Sequence, residues 1–438
     1  MRILFCNFEY PPLGGGGGVV NALLAEELAK QHEVTVLTSC ALGLPVESNE
    51  RGVRIVRAPV FFRKHEAVAN LSSMLMFIPS GLRAGKKLLA VQDFDVINTH
   101  FVLPSGPVGD RLARFAGIPN ILTLHGGDIY DPSKSLSPHH HLGLRVWIKA
   151  LLRRSDIVIG QSKNTLDNMR RFYAPEIEGL RVPLGIRRRR ITAGSRTAYG
   201  FTDNEFLLVT VGRLVARKAI SGLLRVMDKL RSEPVRLLIV GSGPQEMLLK
   251  KYCAEQGLQD RVSFFGQVEE NEKFEILKMC DAYVSTSQHE GFGMVFLEAM
   301  SCGLPIICYD HGGQTDFLEN DATGYLVPLN DLNEFAASCL KLVENSKICQ
   351  AMKRENLRRI EQLYIEYCAA RYEKIFDEAI QRCRLQKLVN ISSTKKLPLA
   401  LSEANLLKTV STSSMTPILT LVDSKKEKSA IGQTGLTL

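Results

Sequence analysis

Two carboxylates, Glu290 and Glu298, stand eight positions apart, and Gly291-Phe292-Gly293 follows the first one directly. The residue pattern predicts a loop that ends near Gly293 and a helix whose second turn carries Glu298. Glycines at such a junction let backbone N–H groups approach a ligand, and the helix dipole favours an anion such as a diphosphate there. The two carboxylates could then accept hydrogen bonds from sugar hydroxyls on either side of that anion. Taken alone, the two acids are also typical of a solvated helix start.

The residues after this helix favour the ligand-binding interpretation. Cys302–Cys308 has the pattern of a glycine-proline turn followed by a short buried strand, and His311-Gly312-Gly313 comes shortly after it. A strand, a helix and a strand within about thirty residues, with glycines in both loops, are typical of a nucleotide site in an open parallel sheet.

This stretch resembles the retaining glycosyltransferases of family 4, whose motif places seven residues between two glutamates before Ala-x-x-x-Gly-x-Pro, here Ala299–Pro305. The resemblance extends over roughly residues 1–380. It implies that Glu290 contacts the donor sugar and that Glu298 contacts the ribose of a nucleoside diphosphate. The implied donor- and diphosphate-binding residues are Gly15, Gly16, Arg213, Lys218, Gly291, Phe292, Gly293, Met294, Val295 and Glu298.

Two basic residues, Arg213 and Lys218, follow the predicted strand Phe206–Val211. A guanidinium and an ammonium at a strand end can neutralise the charge that grows on a leaving diphosphate, so no divalent ion is required. The resemblance assigns the same role to both, whereas such a loop on its own is typical of a solvated turn. Asp93-Phe94-Asp95 has an Asp-x-Asp pattern, but it precedes a strand and lies away from the carboxyl edge. We therefore expect no metal and no cofactor, the nucleoside diphosphate sugar being the donor substrate.

Two further predicted strands, Asp95–His100 and Asn120–His125, each end in a histidine. In doubly wound sheets, ligand-binding groups gather at the carboxyl ends of strands, where both histidines stand. His125-Gly126-Gly127-Asp128 matches the histidine of the resembling family, which implies that His125 faces the donor sugar and the leaving diphosphate. The implied catalytic residues are His125 and Glu290. The alternative is a histidine that caps a neighbouring carbonyl, and this alternative is favoured for His100.

Five consecutive glycines, Gly14–Gly18, lie between a predicted strand and a predicted helix. One interpretation is a dinucleotide-binding Rossmann module, but Thr38-Ser39-Cys40 follows the second strand where a ribose would need an acid. The other is a loop whose backbone closes on a donor or acceptor across a cleft. The resemblance implies a Pro-Pro-x-Gly-Gly loop, to which Gly15 and Gly16 are the nearest matches, and the extra glycines leave the register open.

The predicted fold is α/β, with two Rossmann-like doubly wound domains that face each other across a cleft, the GT-B architecture. Residues 1–190 form the acceptor-side domain, and residues 191–363 form the domain that binds the nucleotide sugar, where Val268 is a candidate for backbone contact with the base. A helix over residues 364–383 returns to the first domain. The composition of residues 385–438, with Ser, Thr, Lys and scattered Leu, predicts a flexible tail.

The segment Val182–Ile186 predicts the last strand of the first domain and the turn between the domains. In the resembling family, the position equivalent to Gly185 is followed by one apolar residue and then by an acid. Here Arg187 starts a run of four arginines, Arg187–Arg190, which leaves the contact at this hinge open.

The bulk properties describe an ordinary globular protein with a basic surface. The chain has 438 residues, 45% of them hydrophobic, a net charge of +9 and ten scattered cysteines without a Cys-x-x-Cys pair. No apolar run approaches the length of a membrane span, so we expect a cytoplasmic protein with reduced thiols. Residues 61–91 are both apolar and basic, which is typical of a pair of core-facing helices or of a membrane-surface segment. No nucleic-acid-binding motif accompanies the basic residues, so we expect no nucleic-acid partner.

These features predict a retaining transfer of a hexosyl unit from a nucleoside diphosphate sugar to a hydroxyl acceptor. The expected partners are the nucleotide sugar, a glycan or lipid-linked acceptor, and an anionic membrane at the inner face of the cell membrane. The pathway would be the assembly of cell-surface polysaccharide, glycolipid or glycan. A sugar phosphorylase or epimerase on the same fold is the alternative, followed by a nucleotide-dependent oxidoreductase and by a basic membrane- or nucleic-acid-binding module.

Overall fold

The computed structural model describes residues 1–66, 69–134 and 136–394 of the chain. Met1–Cys383 form one compact unit, and a second unit begins at Arg384. Of the second unit, the structure describes only the end of one helix. Among the helices of the described ranges, none is long and apolar enough to cross a bilayer.

The first sheet has eight strands in the order β3-β4-β2-β1-β5-β6-β7-β8. All neighbouring pairs are parallel except β3 and β4. Its inner strands are buried along almost their whole length, as expected for a parallel sheet covered on both faces. The strands are β1 (Arg2–Asn7), β2 (Glu33–Cys40), β3 (Glu47–Glu50), β4 (Val53–Pro59), β5 (Val96–His100), β6 (Asn120–Leu124), β7 (Ile157–Gly160) and β8 (Leu180–Arg181).

The helices that accompany this sheet are α1 (Gly16–Leu28), α2 (Leu71–Val91), α3 (Gly106–Ala116), α4 (Leu142–Arg154) and α5 (Lys163–Phe172). The sequence suggested a pair of helices in the region of α2, and this was wrong, because α2 is one helix that continues through Pro79. Its buried residues Phe77, Gly81, Gly85 and Leu88 lie on one face before and after the proline. Packing of that continuous face compensates for the hydrogen bond that Pro79 cannot make.

The second sheet has six parallel strands in the order β11-β10-β9-β12-β13-β14. Numbered within the sheet this is 3-2-1-4-5-6, the order of a Rossmann domain, in which ligands bind where the order reverses, here between β9 and β12. The strands are β9 (Phe206–Val211), β10 (Val235–Val240), β11 (Val262–Gly266), β12 (Ala282–Ser285), β13 (Ile306–Tyr309) and β14 (Gly324–Val327). The helices are α6 (Ile220–Lys229), α7 (Glu246–Glu255), α8 (Glu270–Met279), α9 (Met294–Ser301), α10 (Leu332–Glu344) and α11 (Ser346–Ile360). The predicted pair of doubly wound α/β domains is thereby confirmed.

The last helix, α12 (Ile365–Thr394), packs on the first sheet rather than the second. Its buried Tyr372 and Phe376 belong to the same core cluster as Ile3 and Phe5 of β1. The helix continues past the predicted start of the flexible tail, so residues 385–394 of that segment are helical. The remainder of the predicted tail, residues 395–438, lies outside the described residues.

The hinge between the sheets differs from the predicted strand. The last strand of the first sheet is β8, and Val182–Ile186 is extended chain in which Ile186 forms an isolated bridge with Tyr364. Pro183 explains the difference, because a proline cannot donate a hydrogen bond to a strand ladder.

The arginine run after the hinge makes ion pairs within the protein. Arg187 pairs with Glu26 of α1, and Arg189 pairs with Glu270 of α8 at 2.7 Å. The two guanidiniums therefore bind acids that belong to opposite domains. This answers the question that the sequence left open at the hinge, because the missing family acid is replaced by cations with acidic partners.

Candidate active site

Glu290 lies in the loop after β12, at the carboxyl end of the second sheet. Its carboxylate is buried, with 6% of the residue exposed. It accepts hydrogen bonds from Lys218 Nζ at 2.5 Å, from Arg217 Nη1 at 3.2 Å and from Ser287 Oγ at 2.8 Å. The loop after β12 thus meets the loop after β9, on either side of the point where the strand order reverses.

The charge state of Glu290 follows from these neighbours. Burial alone would raise the pKa of the carboxyl, but the positive charges of Lys218 and Arg217 outweigh it and lower the pKa to about 2. Glu290 is therefore ionised at neutral pH. The result is a nearly dry cluster of one carboxylate and two cations, with a net positive charge that an anionic ligand can satisfy.

Of the two predicted cations, Lys218 binds Glu290 directly. Arg213 is exposed at the start of the same loop, and its contact with a diphosphate stays a prediction. The second cation on Glu290 is Arg217, which also donates to the backbone carbonyl of His289. Sequence reasoning did not single out Arg217, and the available signal was the adjacent basic pair at positions 217 and 218.

The two predicted strand-end histidines bind each other at the edge of the first sheet. His100 Nδ1 lies 3.0 Å from His125 Nε2, and the other nitrogen of His100 lies 2.8 Å from Asn98 Nδ2. The prediction that His100 caps a backbone carbonyl was wrong, because its ring binds two side chains. Burial lowers the pKa of His125 to about 3, so its imidazole is neutral at physiological pH.

The loops that carry His125 and Glu290 touch through their glycines. A Cβ added to Gly291 would lie 2.7 Å from the carbonyl oxygen of His125, and one added to Gly126 would lie 2.8 Å from the Gly291 Cα. Ser162 Oγ of the first domain also donates to the Gly291 carbonyl, at 2.8 Å. The two predicted catalytic residues are therefore brought together from opposite domains, and only glycine permits this approach at both positions.

The glycine run lies beside the histidines. Gly15 is the N-cap of α1, and a Cβ added to Gly15 or Gly16 would meet no atom within 4 Å. A Cβ on Gly17 would lie 2.3 Å from the ring of Phe101, which stacks on His125 at 4.2 Å. Packing therefore requires glycine at position 17, while Gly15 and Gly16 leave open space, and their contact with substrate stays a prediction.

Glu298 lies on α9, whose N-cap Gly293 has φ +88° and so adopts the left-handed conformation that favours glycine. One carboxylate oxygen, Oε1, accepts a hydrogen bond from Lys273 Nζ of α8 at 2.8 Å. The other, Oε2, is buried without a hydrogen-bond partner among the described residues. A buried oxygen in this condition is costly unless a ligand satisfies it. Lys273 was also missed by sequence reasoning.

The remaining predicted donor-binding residues turn their side chains toward the core of the second domain. The Phe292 ring is 2% exposed and packs against Phe317 with 4.9 Å between ring centroids. Met294, Val295 and Val268 are partly buried against the same core. Any contact of Phe292 with the donor would therefore come from its backbone, and the roles of the other three stay predictions.

A further acid, Asp316, links the two domains. It follows the His311-Gly312-Gly313 turn, accepts a hydrogen bond from the Lys163 backbone N–H at 2.8 Å and lies 3.4 Å from Arg181 Nη1. Both partners belong to the first domain. Glu319, three residues later, pairs with Arg359 of the second domain.

Known proteins agree with this architecture. A family model described as "Glycosyl transferase 4-like domain" matches residues 15–185, and one described as "Glycosyl transferases group 1" matches residues 194–359. The chain belongs to the group 1 glycosyltransferases. Together the two models match both sheets of this glycosyltransferase except β1, which precedes residue 15.

Individual relatives match over most of the chain. N-acetyl-alpha-D-glucosaminyl L-malate synthase of Bacillus anthracis is 27% identical over 388 residues, which is 85% of this chain and 96% of that protein. Among solved structures, sucrose-phosphate synthase of Thermosynechococcus elongatus has a TM-score of 0.76 at 23% identity, over 87% of this chain and 100% of the other. Anabaena HepE, solved with UDP-glucose, has a TM-score of 0.69 at 18% identity, over 86% and 100%. These likenesses support the predicted GT-B fold.

Proposed function

We propose that this glycosyltransferase transfers a hexosyl unit from a nucleoside diphosphate sugar to a hydroxyl acceptor with retention at the anomeric carbon. The observation that carries the proposal is the contact between the two half-sites. A cationic cluster around Glu290 in one domain meets His125 of the other through a pair of glycines. HepE, which shares the fold, is solved with UDP-glucose, and this supports a nucleotide sugar as the donor.

The leaving group is held by charge. Lys218 and Arg217 share one carboxylate, that of Glu290, so the cluster keeps a net positive charge. A diphosphate that enters beside Glu290 is attracted by this charge. Negative charge grows on that diphosphate as its bond to the anomeric carbon breaks, so the same cations stabilise the transition state more than the ground state. The N-terminus of α9 at Gly293 adds its backbone N–H groups and dipole.

The acids orient the donor. Glu290 is ionised, which suits a carboxylate that would accept hydrogen bonds from hydroxyls of the sugar beside the cations. The unsatisfied Oε2 of Glu298 is suited to a ribose hydroxyl, since a hydroxyl is the donor that this oxygen lacks. Positioning of this kind supplies much of the rate in reactions where the protein performs little covalent chemistry.

Retention without a covalent enzyme intermediate fits the state of Glu290. A carboxylate that is bound by two cations and a hydroxyl, with a pKa of about 2, is a weak nucleophile. We infer a front-face route instead. The acceptor oxygen bonds to the anomeric carbon on the side from which the diphosphate departs, and the acceptor proton passes to a phosphate oxygen of the leaving group.

The acceptor is proposed to be a glycan or a lipid-linked glycan at an anionic membrane surface, in the assembly of cell-surface polysaccharide or glycolipid. Exposed apolar side chains before and at the start of α2 support a surface contact: Phe61, Phe62, Leu71 and Leu75. Lys64 and Glu66 are both exposed in this segment, and Arg83, Lys86 and Lys87 are exposed on α2, so an excess of basic residues accompanies the apolar ones. Cosedimentation with phosphatidylglycerol vesicles tests this point, with Phe62→Ser/Leu71→Ser expected to bind less and the exposed Val91→Ser as the matched control.

The transfer is tested by offering UDP-, GDP- and ADP-sugars with sugar and lipid-linked alcohols and by following the anomeric proton of the first product by NMR. We expect one donor class to react, with the configuration of the donor kept. Glu290→Gln should lose most of the activity, and the exposed Glu334→Gln should not. Inversion at the anomeric carbon would contradict the mechanism. Turnover with inorganic phosphate but without an added alcohol would instead support the phosphorylase alternative.

A further inference from the structure

A chain of buried hydrogen bonds runs from the last helix to His125. Tyr372 OH of α12 lies 3.2 Å from Thr123 Oγ1, which lies 3.4 Å from Asn98 Oδ1. The amide nitrogen of Asn98 lies 2.8 Å from His100 Nε2, and His100 Nδ1 lies 3.0 Å from His125 Nε2. The chain thus crosses β5 and β6 and ends at the predicted catalytic histidine.

The side-chain amide of Asn98 determines which groups donate and which accept in this series of hydrogen bonds. An amide nitrogen donates and cannot accept, so Asn98 Nδ2 donates to His100 Nε2. A neutral imidazole carries one proton, and His100 therefore carries it on Nδ1 and donates it to His125 Nε2. His125 Nε2 is then the acceptor, and the single proton of neutral His125 stands on Nδ1, the nitrogen that His100 does not bind.

Neighbouring side chains hold the His100 and His125 rings in place and exclude water from these hydrogen bonds. Asn98 and Thr123 are fully buried, and His100 is 1% exposed. The His100 ring stacks on Phe5 with centroids 5.4 Å apart and an interplanar angle of 13°. Burial also lowers the pKa of His100, so it does not gain a second proton at neutral pH. His125, at 8% exposure, is the member of the chain that retains access to a ligand.

We propose that His100 is a positioning residue that fixes His125 as the Nδ1–H tautomer, so that the first domain offers a ligand a hydrogen-bond donor. The group that fits this donor is an oxygen lone pair, from a hydroxyl of the donor sugar or from the leaving phosphate. The assignment of a substrate contact rests on the proposed function. The tautomer of His125 does not rest on the proposed function, because it follows from the hydrogen bonds between these side chains alone.

The opposite direction has a distinct signature. If the Asn98 amide were turned around, its oxygen would accept a proton from His100 Nε2, and His100 Nδ1 would accept one from His125 Nε2. His125 would then present a bare Nδ1, which suits a hydroxyl that donates and not a phosphate oxygen. With its carboxyl ionised and His100 neutral, Asn98→Asp should impose this reversed direction, because a carboxylate can only accept.

The tautomer is measured by long-range 1H–15N correlation NMR of the full-length, unliganded protein at pH 7.5, with His125 identified by its loss in His125→Gln. We expect protonated Nδ1 in His125 of the wild type and protonated Nε2 in Asn98→Asp. The same spectrum shows whether His100 carries one proton or two. His32, which pairs with Glu373 away from this chain, is the internal control and should not change. Protonated Nε2 in the wild type, or no difference between wild type and Asn98→Asp, overturns the proposal.

Kinetics separate positioning from a general structural role. In Asn98→Asp we expect kcat to fall by about tenfold to a hundredfold, the effect of losing one hydrogen bond to a charged group, with a smaller change in the KM for the donor. His100→Phe keeps a stacked ring but cannot choose a tautomer, so His125 should show a mixture of both forms. A lower melting temperature in His100→Phe without any change in the His125 tautomer would overturn the proposal as well. If the tautomer shifts as expected but no donor is turned over by the wild type, the failure lies in the proposed function alone.

Discussion

Replacing Glu290 by glutamine tests the charge cluster on which the site is built. The pKa of the Glu290 carboxyl falls from its ordinary value of 4.5 to about 2 in the folded protein, despite burial, because Lys218 and Arg217 are within hydrogen-bond distance. That difference corresponds to about 3 kcal/mol of stabilisation of the ionised form by the fold. Glutamine keeps the shape of the side chain but cannot provide this charge.

The pH dependence gives the prediction its sign. Because the folded-state pKa is depressed, the ionic contribution is fully present above about pH 4.5 and is lost as the pH falls toward 2. We therefore expect Glu290→Gln to reduce the free energy of unfolding by about 3 kcal/mol at pH 7 and by about half of that at pH 3. Below pH 3 the free energies of unfolding of the wild type and of Glu290→Gln should converge further.

Urea unfolding followed by circular dichroism at pH 7, 5 and 3 measures the free energy of unfolding of the wild type and of Glu290→Gln. Glu334, which pairs with Lys341 on the exposed surface, provides the control, and Glu334→Gln should change stability by less than about 1 kcal/mol at each pH. A loss in Glu290→Gln that is equally large at pH 7 and pH 3 would show that shape and not charge is responsible. No loss at pH 7 would refute the cluster altogether.

Two further substitutions probe the other parts of the site. Lys273→Met removes the ammonium that donates to Glu298 Oε1, and we expect the KM for the nucleotide sugar to rise by about tenfold with a smaller effect on kcat, measured from initial rates. Gly291→Ala places a methyl 2.7 Å from the carbonyl of His125, so the loops must separate, and kcat/KM should fall about a hundredfold. Gly143→Ala, where the methyl meets open space, is the control for that change, and equal activity in both alanine variants would contradict the proposed contact.

Local chemistry was enough to predict part of the site. The glycines around Glu290, the helix that carries Glu298 and the lysine after β9 all follow from short-range patterns, and the structure places Lys218 on Glu290 as the charges suggest. The contact of Arg217 with Glu290 could not be predicted in the same way. It depends on the tight turn Ala216–Lys218, which directs both adjacent side chains toward the loop after β12.

Long-range packing decided the features that the sequence did not reveal. Lys273 and Glu298 are 25 residues apart and meet only because α8 and α9 are neighbours in the folded domain. Long-range packing also decides the course of α2. Pro79 locally favours a break in the helix, but the continuous buried face keeps α2 as one helix. His100 is the clearest case, since nothing in its own strand indicates that its ring partner comes from the end of the next strand.

The two sheets explain why the cations lie on one side of the site. In each sheet the chain crosses once from one side of its first strand to the other, between β9 and β12 in the second sheet and between β1 and β5 in the first. The loops beside the crossing in the second sheet carry Lys218, Arg217 and Glu290, whereas those in the first sheet bring together a glycine run, an aromatic ring and the neutral His125. The half with the cations is suited to hold a dianionic diphosphate, and the half around His125 is suited to position hydroxyls. Nucleotide affinity should therefore depend steeply on salt and acceptor affinity only weakly, because the electrostatic part of binding resides in the domain that contains Lys218.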